Sequence, residues 1–142
     1  MAFFVVFRKH TALFLIYIYI EKAMSDLKPE EQARVLIDEM LAEAGWAVVP
    51  RSEYSEVRNA QAVTEALTKG NCEADYLLFL GGKAIGVLEA KQKKNPLGGV
   101  VAEQTAKYSA GMLPWYQTWT KPLPFLFMSN GDTLLFKNKL DL

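Results

Sequence analysis

The tightest constraint on this chain is the stretch EADYLLFLGGKAIGVLEAKQKK, Glu73 to Lys94. Two apolar runs flank Gly81-Gly82, the pattern of a β-hairpin. The first run opens on Asp75 and the second closes on Glu89-Ala90-Lys91. Charged side chains are rarely fully buried unless they are paired or hold a metal. Register decides what these acids can do, because side chains alternate along a strand. Asp75, Leu77 and Phe79 share one face of the first strand; Ile85, Val87, Glu89 and Lys91 share one face of the second. A two-residue turn at Gly81-Gly82 sets Leu80 against Lys83 and sends Asp75 and Glu89 to opposite faces. A three-residue loop, Gly81-Gly82-Lys83, sets Leu80 against Ala84 and brings Asp75 directly across from Glu89, with Cβ atoms about 4.5–5.5 Å apart. Lys91 then converges on the same spot. Two carboxylates that close repel, and a divalent cation between their hard oxygens removes the repulsion. A lysine just beyond can orient water or stabilise charge on a phosphate. The same spacing also suits a surface salt bridge between Lys91 and Asp75.

Absences narrow the chemistry. Cys72 is the sole cysteine, which rules out an internal disulfide and a thiolate zinc site. His10 is the sole histidine, so a Ser-His-Asp or Cys-His site in the body of the chain is disfavoured. A metal bound there would need oxygen ligands, which favours magnesium, manganese or calcium. Net charge is zero, with 16 basic and 16 acidic residues, and names no partner. Locally, Lys83, Lys91, Lys93, Lys94 and Lys107 stand against Glu89 and Glu103, a modest basic patch around the hairpin.

The 142 residues suit one domain, with 51% apolar and 23% charged side chains. Pro29 to Ala44 reads as a helix: Pro29 sits in the first turn, Glu30 and Glu31 suit its positive end, and Gly45 stops it. Its apolar stripe is Val35, Leu36, Met40 and Leu41, with Ile37 beside it. Trp46 to Val49 reads as a strand, residues 51–61 as loop and Ala62 to Thr68 as a further strand. After the hairpin come a loop at Asn95 to Gly99, a helix from Val100 to Met112, a strand from Phe125 to Met128, a turn at Asn130-Gly131 and a strand from Thr133 to Lys137. The expectation is an α/β domain, a mixed β-sheet core flanked by helices.

Residues 1–23 differ from the rest. The apolar run Thr11 to Ile20 is too short to span a bilayer, which takes about 20 residues. No small-x-small cleavage site follows it. The stretch reads as an atypical hydrophobic extension ahead of a domain at 24–142, with a short extra strand or a membrane-surface segment spanning residues 3–20 as alternatives; stable membrane insertion is not expected.

Asp75, thirteen residues, then Glu89-x-Lys91 at the end of an apolar strand resembles the PD-(D/E)xK nuclease signature, with Ala74 in place of the proline. Gln104 and Tyr108, at i and i+4, resemble the Q-x-x-x-Y box of RecB-like nucleases and type I restriction enzymes. EEQARVLIDEMLAEAGW (Glu30 to Trp46), ADYLLF, VLEAK and FLFMSNGDTLLF are similar, in order, to the N-terminal nuclease domain of the type I restriction enzyme R (restriction) subunit. The resemblance covers about residues 28–137 and implies a restriction-endonuclease-like fold. It implies Asp75 and Glu89, with the Ala90 carbonyl, as Mg²⁺ ligands and Lys91 as the catalytic lysine. Gln104 and Tyr108 would position DNA or the active site; Lys93, Lys94 and Lys107 would contact phosphates of double-stranded DNA without reading sequence. Glu30 matches a helix acid near the metal in some relatives and equally suits a helix-capping role. Cleavage in the cytoplasm, alongside modification and specificity subunits, is the implied activity. ATP belongs to the motor of the full-length family member; a G-x-x-x-x-G-K-[ST] phosphate loop is absent from these 142 residues. The segment after NGD is short, so the chain reads as a fragment of a longer R subunit. The rival reading is a truncated, non-catalytic remnant that binds DNA or partner subunits.

Overall fold

The computed structural model describes residues 9–94, 97, 107 and 111–140. Its described elements are α1 (Lys9–Asp26), α2 (Pro29–Glu43), β1 (Ala47–Pro50), β2 (Ala60–Thr68), β3 (Cys72–Leu80), β4 (Lys83–Ala90), β5 (Phe125–Ser129) and β6 (Leu134–Asn138), with a 3-10 turn at Arg51–Glu53. The strands form one six-stranded sheet in the order β1-β2-β3-β4-β5-β6. Two pairs are parallel, β1 with β2 and β4 with β5; the other three are antiparallel. This mixed sheet with helices is the α/β, restriction-endonuclease-like class that the sequence implies.

Both sheet faces are apolar. On one, Ile37 and Leu41 of α2 pack over Ala62, Tyr76, Leu78, Leu88 and Ala90. On the other, Val63, Leu77, Phe79, Ala84 and Val87 meet Met112 and Leu123. The central strands β3 and β4 are therefore covered on both sides and read as near-continuous apolar runs. The buried line of α2 is Ala33, Ile37 and Leu41, spaced by four. Val35 and Leu36, expected in the stripe, are only half-buried, because the helix is rotated to centre Ile37 on the sheet. Gly45 ends α2 at φ +92°. Its N–H reaches the Ala42 carbonyl and that of Trp46 the Leu41 carbonyl, the two bonds of a Schellman cap.

The nine residues from 51 to 59 carry the crossover from β1 to the parallel β2. The buried Gln61 side chain holds that loop, donating to Ser55 O at 2.6 Å and accepting from Ser55 N at 3.2 Å and Arg58 Nη1 at 3.1 Å. Its polar atoms are satisfied, as burial requires.

Of the alternatives for the N-terminal segment, the short extra strand is not what forms. Lys9–Asp26 is one helix, running through position 24 without a break. Leu13 to Ile20 are all exposed. Among the described residues, no helix is long and apolar enough to cross a membrane. Most of the expected helix at 100–112 lies outside the described residues; Lys107 is helical, whereas Met112 is already outside a helix and packs into the core.

Candidate active site

The hairpin turn is the two-residue one. Gly81 and Gly82 have φ +57° and +79°, the left-handed pair such a turn demands, and Leu80 pairs with Lys83. On that register alone Asp75 and Glu89 would part. A β-bulge intervenes: Phe79 pairs with Ala84, but Leu78 pairs with Gly86, so Ile85 is the extra residue on β4. From there Leu77 meets Val87 and Tyr76 meets Leu88, which sets Asp75 opposite Glu89. The convergence expected from a three-residue loop is thus reached by a tight turn plus a bulge.

The β3–β4 ladder ends at Tyr76 and Leu88, and the Asp75 side chain occupies the fork beyond. Its Oδ2 accepts the Ala90 N–H at 2.8 Å. Its Oδ1 accepts from Arg34 Nη2 of α2. Glu89 lies alongside, 3% exposed, its carboxyl within electrostatic reach of Asp75. Glu89 Oε1 is buried without a hydrogen-bond partner, alone in this among the described side chains. Burial, then the charge of the neighbouring Asp75, push the Glu89 carboxyl up to about 9; the Lys91 ammonium works against them. Two adjacent carboxyls in low dielectric keep one proton between them.

Lys91 follows β4 directly and is anchored by its backbone, N–H to Ser129 O at 2.8 Å. The parallel pairing of β4 with β5, Glu89 beside Met128 and Ala90 beside Ser129, fixes that anchor. Lys93 and Lys94 follow on the surface, Lys93 with its Nζ 3.0 Å from Asp132 Oδ2 of the β5–β6 turn. Lys107 is exposed. Gln104 and Tyr108 lie outside the described residues. Glu30 is half-exposed and stands 3.8 Å from Arg34 Nη2.

The motif reading did not single out Arg34. Its guanidinium meets three carboxylates: Asp75, Glu65 at 3.5 Å and Glu30 at 3.8 Å. The available signal was the Glu30-x-x-x-Arg34 spacing, which sets the two side chains one turn apart on the helix that covers the sheet. Next to it, Tyr76 donates to Asp38 Oδ1 at 2.6 Å, tying β3 to α2. Burial first, and then that hydrogen bond, raise the Tyr76 phenol above its ordinary range.

The pair has the chemistry of a hard-cation site: two oxygen donors side by side, one oxygen unsatisfied and a lysine nearby. Among the described residues no set of three or more His, Cys, Asp or Glu side chains is grouped to hold a metal, so any such site would be completed by backbone or solvent oxygens. A family model described as "Type I restriction enzyme EcoKI endonuclease subunit second domain" matches residues 50–139, which include Asp75, Glu89 and Lys91. The motifs resemble the N-terminal domain of such subunits, whereas the matching model is that of a second domain. No curated protein matches the chain.

Proposed function

Because the chain belongs to the family of the type I restriction enzyme EcoKI endonuclease subunit second domain, we propose that it is a metal-dependent DNA endonuclease domain. The observation that carries the proposal is the Asp75–Glu89 pair, two neighbouring carboxyls at a strand fork with Glu89 Oε1 buried and unsatisfied. A purely structural acid pair in a core would be expected to fill its hydrogen bonds.

Asp75, Glu89 and the Ala90 carbonyl would hold Mg²⁺. Bound there, the ion would supply positive charge against the phosphodiester being hydrolysed. Asp75 is held in place by the Ala90 N–H and Arg34. Glu89 would have to give up its proton to act as a ligand, because only the carboxylate binds a cation well. Lys91, anchored through Ser129, would place its ammonium against a phosphate oxygen and stabilise the charge that grows there. Lys93, Lys94 and Lys107 would track the DNA backbone, and Gln104 and Tyr108 would position the strand. Partner subunits for modification and specificity, and a cytoplasmic setting, follow from the same reading. The test is nicking of supercoiled plasmid with MgCl2 or with EDTA. Nicking by wild type in Mg²⁺ only, lost in Lys91→Ala, supports the proposal; a folded wild type that never nicks removes it.

A further inference from the structure

We infer that Arg34 is the resident counter-ion of the acid pair, a positioning residue that has to release Asp75 before a divalent cation can be held there; this rests on the nuclease reading. Arg34 Nη2 is bonded to Asp75 Oδ1, one of the oxygens that reading assigns to the metal. A guanidinium and a divalent cation cannot both take the same oxygen at full strength. Arg34 is the cation that faces Asp75, whose side chain is 14% exposed, and a carboxylate so far removed from water needs such a partner.

The surroundings give the released guanidinium somewhere to go. Glu30, one turn earlier on the same helix, and Glu65 of β2 already stand 3.8 and 3.5 Å from it, and both are more than half exposed. A rotation of the Arg34 side chain therefore transfers its charge to the rim without moving α2. The planar five-donor fork of arginine suits such an exchange between carboxylates. Glu65 is aimed by an unusual backbone. It lies across from Asp75, between the pairs Thr64–Tyr76 and Ala66–Ala74, at φ +50°. A non-glycine residue adopts that conformation in a strand only where surrounding structure holds it. Arg34 and Glu30 both lie ahead of the matched residues 50–139.

The test is calorimetric titration of MgCl2 into wild type, Arg34→Gln and Arg34→Lys, with thermal melts in EDTA. Removing the competing charge should tighten Mg²⁺ binding up to about fivefold in Arg34→Gln, the scale of one partly exposed ion pair. Arg34→Lys, which keeps a cation but loses the fork, should fall between and carries the test should the glutamine variant not fold. The EDTA melt of both variants should drop, and saturating Mg²⁺ should narrow the gap to wild type. A merely structural arginine would lower the melts equally with and without Mg²⁺ and leave the affinity unchanged or weaker, which overturns the inference. Wild type and variants all silent to millimolar Mg²⁺ would instead overturn the nuclease reading and this inference with it.

Discussion

Glu89→Gln separates metal chemistry from fold stability. Glu89 is 3% exposed, and burial with the neighbouring Asp75 moves its carboxyl from an ordinary 4.5 up to about 9. Between those values the folded chain holds a proton that the unfolded chain has lost. The metal-free protein is therefore stabilised by acid: its stability falls as pH rises through the window and levels off above it. From 4.5 to pH 7 is about 2.5 units, and at about 1.36 kcal/mol per unit the loss by pH 7 is roughly 3 kcal/mol. Glutamine removes the titration and the repulsion by Asp75 while keeping the size of the acid. Its amide enters a site where Oε1 already lacks a partner, costing about 1–2 kcal/mol. The variant should therefore be more stable than wild type by about 1–2 kcal/mol at pH 7, and its advantage should vanish between about pH 5 and 6. Urea unfolding in EDTA, from pH 5 to 9, reads both slopes. A variant that is less stable than wild type at pH 7, with the same pH slope, would show that Glu89 is an ionised, well-paired structural acid and refute the reasoning.

Three further outcomes follow from the geometry. Lys91→Met should keep the fold but lose plasmid nicking, and because the Lys91 charge holds the Glu89 carboxyl down, the acid-stabilised window seen in urea should extend to higher pH. Tyr76→Phe removes a 2.6 Å bond from a buried phenol and leaves Asp38 short of a donor; unfolding should cost about 1–3 kcal/mol less, with Mg²⁺ affinity unchanged by calorimetry. Gly86→Ala would drive a methyl to 2.6 Å from Phe125 O, against the parallel β4–β5 pairing that anchors Lys91, and should lower stability by about 1–3 kcal/mol in the same urea assay, with nicking reduced alongside.

Much of the fold was legible because its signals are local. Pro29, Glu30, Glu31 and Gly45 bracket α2 through capping physics, and the apolar runs around Gly81-Gly82 define the hairpin. The Asn130-Gly131 turn follows the same logic: Asn130 Oδ1 accepts the N–H groups of Asp132 and Thr133. What escaped was long-range. The bulge at Ile85 depends on how β4 is gripped between β3 and β5, and no residue type in KAIGV announces it beyond Gly86. Arg34 reaches Asp75 from 41 positions away, so neither strand alternation nor motif spacing links them. The apolar stretch at 11–20 left its element type open. Its β-branched and aromatic residues suit a strand, one of the alternatives, yet they form a helix whose apolar side chains are exposed.

The most direct measurement of the central claim is the anomalous difference density of crystals soaked in MnCl2, a hard divalent cation that reports its own position. The account predicts a peak shared by the Asp75 and Glu89 carboxylates and the Ala90 carbonyl, with Arg34 turned toward Glu30 or Glu65. No peak at the strand fork, with Arg34 still on Asp75, would contradict the claim that this pair is a metal site.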